Sequence, residues 1–135
     1  MPLLLDTGIL YAMADEDDAW HERVVRYLRN NTDVLMTLVT VVPEAAYLLR
    51  ARLGARIERE FIASLAAREI AVESLSNADL VRSAAVMSER PDVGFVDASV
   101  VAVAERLRLD RIATTDRRHF STIVPRHRPA FDLVP

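Results

Sequence analysis

Apolar runs of strand length alternate with amphipathic stretches along the whole chain. Near-continuous apolar segments predict strands at residues 3–5, 34–39, 70–75, 112–115 and 130–134. Between them, apolar positions recur at helical spacing, as in residues 19–30. Strands that are apolar throughout are typical of a parallel sheet covered on both faces. The pattern therefore predicts an α/β fold with a central, mostly parallel sheet of four or five strands.

Two of these apolar segments stop at an acid. The first ends at Asp6, and the fourth runs through Thr115 to Asp116. Ending a buried strand on a charge is costly unless that charge has a partner. In open parallel sheets, ligands bind outside the carboxyl ends of the strands. We therefore expect Asp6 and Asp116 to lie side by side at one edge of the sheet and to hold a metal ion.

Two further acids fall close to the same edge. Glu44 lies in the first turn of the helix predicted after the second strand, and Asp97 in the first turn of the helix before the fourth. Taken singly, either acid could simply stabilise a helix N-terminus. Four carboxylates together would repel one another, and a hard divalent cation relieves that repulsion. Since Mg²⁺ or Mn²⁺ in such a site promotes phosphodiester hydrolysis, the acids point to a metal-dependent nuclease.

Composition removes several other chemistries. The 135 residues include no cysteine and no lysine, so all 17 basic residues are arginine. This excludes disulfides, thiolate metal sites, lysine Schiff bases and P-loop phosphate binding. The length fits a single domain spanning residues 1–135. No apolar run approaches the roughly 20 residues of a membrane span, and no secretory signal is evident. We therefore expect a cytoplasmic protein with no membrane attachment.

The net charge of the chain does not favour nucleic-acid binding, so any such binding must depend on a local basic patch or on bound cations. The chain carries a net charge of −3, whereas nucleic-acid-binding proteins are usually basic. The basic concentration that stands out near the chain end contains Arg117 and Arg118. It is either a solvated terminus or a rim that contacts phosphates beside the metal site. His119 is close to Asp116, but no histidine shows ligand spacing, so we expect His119 to lie on the surface.

Four segments carry a resemblance to a known family. Residues 4–8, 42–49, 95–98 and 114–120 read LLDTG, VPEAAYLL, FVDA and TTDRRHF. In this order they resemble the motifs of the PIN-domain ribonucleases. A single-domain chain of this length looks most like a VapC-type toxin of a type II toxin–antitoxin pair. The resemblance implies a PIN-like three-layer α/β/α sandwich and Mg²⁺- or Mn²⁺-dependent endonucleolytic cleavage of RNA.

The resemblance also implies partners and residue roles. It implies a homodimer that a VapB-type antitoxin inhibits by forming a hetero-oligomer with it. The metal would be bound at four positions of this sequence, with help from a neighbouring hydroxyl; these are Asp6, Glu44, Asp97, Asp116 and Thr115. Arg117 and Arg118 would then contact the RNA substrate.

Two other interpretations compete with the ribonuclease. The first is a phosphatase of the haloacid-dehalogenase type or a receiver domain, but both use a lysine that this chain lacks. The phosphatase also needs an acid two residues after its nucleophile, where this chain has Gly8. The second is a PIN-like non-catalytic interaction module whose acids serve structure or partner binding. Cleavage of RNA that depends on a divalent metal distinguishes the enzyme from both.

Overall fold

Twelve helices and strands alternate through the computed structural model, which describes residues 1–135. Five strands form the sheet: β1 (Leu3–Leu5), β2 (Leu35–Leu38), β3 (Ala71–Glu73), β4 (Arg111–Ala113) and β5 (Asp132–Val134). Seven helices connect them: α1 (Thr7–Ala14), α2 (His21–Arg29), α3 (Val41–Leu53), α4 (Ala55–Ala66), α5 (Asn77–Glu89), α6 (Phe95–Arg106) and α7 (Arg117–Phe120). None of the helices combines the length and apolar character that a membrane crossing requires.

The sheet is parallel throughout and has the strand order β3-β2-β1-β4-β5. From β1 the chain moves outward through β2 to β3, then returns to the other side of β1 for β4 and β5. The order therefore reverses between β1 and β4, where a crevice opens outside the carboxyl ends of the strands. Helices cover both faces, which confirms the predicted α/β/α sandwich.

The centre of the sheet is the most deeply buried part of the molecule. Leu3, Leu4 and Leu5 of β1 are fully buried, as is Ile112 of β4. Their apolar side chains face helices on both sides, which is why β1 shows no alternation in sequence. The edge strand β3 is more open, with Val72 exposed. The rigid centre thus fixes the two strand ends that border the crevice.

The predicted segment bounds need small corrections. Strand β4 ends at Ala113 rather than at residue 115, and β3 covers only Ala71–Glu73. The apolar pattern did not predict the one-turn helix α7, whose N-cap is Asp116. Apolar patterning locates a strand but does not define its last residue, because apolar residues can continue past the final hydrogen-bonded pair.

Candidate metal centre

Asp6 lies where β1 ends and α1 begins. It is the N-cap of α1, and its Oδ1 accepts a hydrogen bond from the backbone N–H of Ile9 at 3.1 Å. Its Oδ2 accepts a hydrogen bond from the hydroxyl of Thr114. The residue is 7% exposed, so both oxygens are held in fixed positions almost out of solvent. The strand end and the helix start thus orient one carboxylate toward the crevice between β1 and β4.

Thr114 joins the two strand ends, a role that the sequence did not reveal. It is fully buried just after β4, and its hydroxyl donates to Asp6. The same oxygen accepts a hydrogen bond from the backbone N–H of Asp116 at 3.0 Å. Thr114 therefore fixes Asp6 and the backbone of Asp116 relative to each other. The sequence indicated Thr115 as the hydroxyl beside the acids, but it is the adjacent Thr114 that contacts Asp6.

Asp97 and His119 complete the far side of the centre. Asp97 lies in the first turn of α6, as predicted, and its Oδ2 is 3.3 Å from Nδ1 of His119. The same ring nitrogen is 3.8 Å from Oδ2 of Asp116. Asp97, Asp116 and His119 can each offer one ligand atom, and those atoms lie within 4.8 Å of one another. The expectation that His119 is an ordinary surface residue was therefore wrong, since only 16% of its side chain is exposed.

All four predicted acids border the same cavity. Glu44 lies in the first turn of α3, and its exposed side chain lines the cavity. The cavity has a volume of about 210 Å³. No arginine or histidine is among its nine lining residues, which are Asp6, Thr7, Gly8, Glu44, Leu48, Val96, Asp97, Thr115 and Asp116. Residues from five separate elements or loops thus place four carboxylates around one space.

Gly8 makes room for the hydroxyl of Thr115. A Cβ atom at Gly8 would lie 2.0 Å from Oγ1 of Thr115, far inside the contact distance of two non-bonded atoms. It would also lie 3.6 Å from Oδ1 of Asp6. A side chain at position 8 would therefore push Thr115 away from the cavity. The glycine that followed the first acid in the sequence has a steric reason beyond turning the chain.

Two carboxylates of the centre, Asp6 and Asp97, have raised pKa values. Burial, reinforced by the nearby Asp97 and Asp116 carboxylates, raises the pKa of Asp6 from its ordinary 3.8 to about 7. Hydrogen bonds from Thr114 and Ile9 oppose that rise. Burial also raises the pKa of Asp97, with Asp116 and Glu44 reinforcing the effect and His119 opposing it. Two acids thus carry charge at a cost that a bound cation would remove.

The donor set fits a hard divalent cation. Carboxylate and hydroxyl oxygens dominate the cavity, and these are the ligands that Mg²⁺ and Mn²⁺ prefer. The hydroxyl oxygen of Thr7 is buried and has no hydrogen-bond partner within the protein. Such a group is costly to leave unsatisfied. A hydrated cation between the acids would provide both the positive charge and the water molecules that these groups lack.

Comparison with known proteins places the chain in a family. The sequence profile of the PIN domain matches residues 3–124. The chain belongs to the PIN-domain family. It is 30% identical over 135 residues to Ribonuclease VapC26 of Mycobacterium tuberculosis, a match that covers 98% of this chain and 100% of that protein.

Solved structures share the fold of this PIN domain. The crystal structure of Mycobacterium tuberculosis VapC20, described as a sarcin–ricin loop cleaving toxin, matches with a TM-score of 0.80 at 22% identity. That match covers 86% of this chain and 91% of the other. A toxin–antitoxin complex from Klebsiella pneumoniae matches with a TM-score of 0.74 at 18% identity, covering 98% and 96%. These likenesses confirm the architecture around the acids.

The two arginines predicted to contact RNA occupy different environments in the PIN domain. Arg118 is exposed; its backbone N–H donates to Oδ1 of Asp116 at 3.2 Å, and its hydrogen bonds involve the backbone rather than the guanidinium. Arg117 is half-buried: its guanidinium donates to the backbone carbonyl of Pro135 and lies 5.5 Å from the ring centre of Trp20. Neither arginine lines the acidic cavity. Their assignment to RNA binding stays a prediction.

Proposed function

We propose that this PIN domain is a metal-dependent endoribonuclease and the toxin of a VapBC-type toxin–antitoxin pair. The observation that carries the proposal is the convergence of Asp6, Glu44, Asp97 and Asp116 on one cavity that no arginine lines. A structural cluster of acids is normally neutralised by arginines of the same chain. The resemblance to Ribonuclease VapC26 over nearly the full length supports cleavage of RNA as the reaction.

Each residue has a role that its position supports. Asp6, Asp97 and Asp116 would hold the metal, with the exposed Glu44 completing the set from α3. When bound, Mg²⁺ or Mn²⁺ supplies Lewis-acid stabilisation of the phosphodiester and lowers the pKa of water. Thr114 holds the Asp6 carboxylate in one orientation through its hydroxyl. Thr115 presents its hydroxyl to the cavity, where it can orient a neighbouring carboxylate or the scissile phosphate.

The partners follow from the same proposal. We infer that the chain forms a homodimer, that a VapB-type antitoxin binds it, and that the pair acts in the cytoplasm, where its RNA substrate resides. The likeness to the Klebsiella pneumoniae toxin–antitoxin complex over almost the whole chain supports an antitoxin partner. The acidic cavity supports inhibition by a segment that carries positive charge, because such a segment would compete with the metal for the same carboxylates.

Incubation of antitoxin-free protein with total cellular RNA tests the proposed reaction. We expect discrete cleavage products with Mg²⁺ or Mn²⁺ and none with EDTA. Asp6→Asn should yield no products while giving the same circular dichroism spectrum. Mapping the new ends would identify the RNA. Cleavage that survives EDTA would rule out the metal mechanism, and the absence of cleavage with either metal would favour the non-catalytic interaction module.

A further inference from the structure

A second, larger cleft lies beside α2, at the opposite end of β4 from the acids. Its volume is about 500 Å³, more than twice that of the acidic cavity. Its lining is polar except for one residue and consists of Arg23, Arg26, Tyr27, Asn30, Asn31, Thr32, Asp33, Arg111 and Pro135. The sequence did not reveal it, because its arginines are separated along the chain and come together only when α2 packs beside β4.

The cleft carries uncompensated positive charge. Arg23 and Arg26 are exposed on α2 and form no ion pair. Arg111 at the start of β4 pairs with Asp33, the one acid of the cleft, and donates to the hydroxyl of Tyr27 at 2.5 Å. Two free guanidinium groups therefore remain above one neutralised pair. The whole chain has a net charge of −3, so this cleft is a local region of positive charge. Such a region attracts anionic ligands.

Trp20 connects this cleft to the acidic cavity. The guanidinium of Arg23 lies 4.3 Å from the centre of the Trp20 ring, and that of Arg117 lies 5.5 Å from it. Arg117 follows Asp116 directly in the chain. Stacking on an aromatic face restricts a guanidinium while leaving its N–H donors available, as at the exposed Arg23, whereas Arg117 also donates to the backbone of Pro135. A chain of positive charge thus leads from the metal centre across Trp20 into the cleft.

The span of this path suits a few nucleotides. Arg111 begins β4 and Asp116 lies five residues later, so the two are separated by at most about 17 Å of extended chain. Together with the proposed cleavage at the acids, this geometry places the cleft on the path of an RNA strand that leaves the cavity. Arginines spaced along such a path would be able to contact successive phosphates of a single strand.

We propose that the cleft lined by Arg23, Arg26 and Arg111 binds the sugar–phosphate backbone of single-stranded RNA beyond the cleavage site. The inference rests on the proposed ribonuclease function and adds the site that holds the substrate. An acidic peptide would be the alternative anion, but protein interfaces are built around an apolar centre, which this cleft lacks. Phosphates need only charge and donors, and the cleft offers guanidinium, amide and hydroxyl groups.

Direct binding measurements test the site independently of cleavage. The probe is a fluorescein-labelled oligouridylate of about 12 nucleotides, within the range that single-strand sites cover, and EDTA prevents cleavage. For Arg23→Glu/Arg26→Glu we expect binding to weaken about tenfold or more. The slope of log Kd against log salt concentration should also fall by about 1.4, since each phosphate contact in a single strand contributes about 0.7.

The matched control is Arg59→Glu/Arg68→Glu, which makes the same charge change at two exposed arginines that form no ion pair. This control should change oligouridylate binding by less than about twofold. Arg23→Ala/Arg26→Ala provides a milder variant if charge reversal impairs folding, and thermal melting checks all three. Equal losses in the α2 and control variants would overturn the proposal, because the effect would then be one of net charge alone.

Cleavage kinetics separate this inference from the proposed function. With total RNA and Mg²⁺, the α2 variant should show a raised KM with little change in kcat, since the acids are untouched. If the α2 variant cleaved RNA with the wild-type KM, the proposed role of the cleft would be overturned, while the proposed ribonuclease function would stand. Binding of oligouridylate through the cleft without any cleavage would overturn the ribonuclease and leave the cleft standing. Polyglutamate serves as a probe for the alternative ligand, an acidic peptide. If Arg23→Glu/Arg26→Glu retained RNA binding but lost polyglutamate binding, the cleft would be a protein-docking site and the proposal would be overturned.

Discussion

Two aspartates are almost equally buried in this protein and have opposite surroundings. Asp79, in the first turn of α5, is 2% exposed, and Asp6 is 7% exposed. Both carboxylate oxygens of Asp79 face the Nε of Arg106, at 3.0 and 3.1 Å, and one also accepts the backbone N–H of Ser76 at 2.9 Å. Asp6 accepts hydrogen bonds from Ile9 and Thr114, and its charged neighbours are Asp97 and Asp116.

The pKa values of the two acids move in opposite directions as a result. Burial works to raise the pKa of Asp79, but hydrogen bonds from Arg106 and Ser76 outweigh it and hold the pKa below its ordinary value. For Asp6, burial prevails and the pKa rises to about 7. A buried acid that serves the fold is thus supplied with a cation by its own chain. Asp6 has no cationic partner of this kind, which supports its proposed role as a ligand of a metal ion taken from solution.

Matched substitutions to asparagine should separate the two roles. Asp6→Asn should lower cleavage by about a thousandfold or more, because a metal ligand is worth several kcal/mol of transition-state stabilisation. Its stability should hold or rise near pH 7.5, since asparagine still caps α1 and carries no buried charge. Asp79→Asn should cost about 2–3 kcal/mol of unfolding free energy, because it removes charged hydrogen bonds to Arg106. Urea titration and RNA cleavage measure the two effects.

The contrast would fail in one specific way. If Asp6→Asn lost as much stability as Asp79→Asn, then Asp6 would be a structural acid, and its effect on cleavage would follow from unfolding. Assays of Asp79→Asn well below its melting temperature should show near wild-type cleavage, which controls for general loss of activity on weakening the fold.

Addition of metal should stabilise only the protein that retains Asp6. Binding to the native state alone adds about 2.7 kcal/mol at a free metal concentration one hundred times Kd. The melting temperature of the wild type and of Asp79→Asn should therefore rise with millimolar Mg²⁺ or Mn²⁺, while that of Asp6→Asn should hardly move. Na⁺ at equal ionic strength controls for screening. An identical rise in all three proteins would show that the metal binds elsewhere.

The stability of the metal-free protein should decrease as the pH rises from about 4 to about 7. In this window the folded state keeps a proton on Asp6 that the unfolded state has already released, since the pKa is about 7 in one and near 3.8 in the other. The state that binds more protons is favoured at lower pH. With about 1.4 kcal/mol per pKa unit, the change is on the order of 3 kcal/mol. Urea titrations in EDTA at pH 5 and 8 measure it, and Asp6→Asn should lose most of the difference.

The sequence predicted the acids of the centre better than the groups that hold them. Asp6, Glu44, Asp97 and Asp116 could be placed because strand ends and helix starts share one edge in any parallel sheet. The pairing of Asp79 with Arg106 could not be foreseen, since it joins residues 27 positions apart through the packing of α5 on α6. The local pattern at Ser76 and Asp79 indicates only the capping box that begins α5.

Thr114 and His119 were missed for a local reason. A strand end that shifts by one residue reverses which face of the sheet each side chain points to, so the choice between Thr114 and Thr115 needed the structure. His119 depended on the one-turn helix α7, which turns its ring back toward Asp97. Apolar patterning contains no information about a single turn with one buried residue. The sequence thus supplied the acids, and short irregular backbone supplied their supports.

His119 offers the smallest and most specific test of those supports. Its Nδ1 lies 3.3 Å from Asp97, and its Nε2 lies 3.8 Å from Asp92, which Arg90 holds on its other side. We expect His119→Ala to lower kcat and metal affinity about tenfold, the usual effect of removing a group that orients a metal ligand. His119→Asn keeps a nitrogen near the position of Nδ1 and should recover most of the loss. His119→Gln places its nitrogen toward Asp92 instead and should not. Equal defects in the asparagine and glutamine variants would show that the ring of His119 only fills space. Recovery by asparagine alone would show that the contact from Nδ1 holds Asp97 in position.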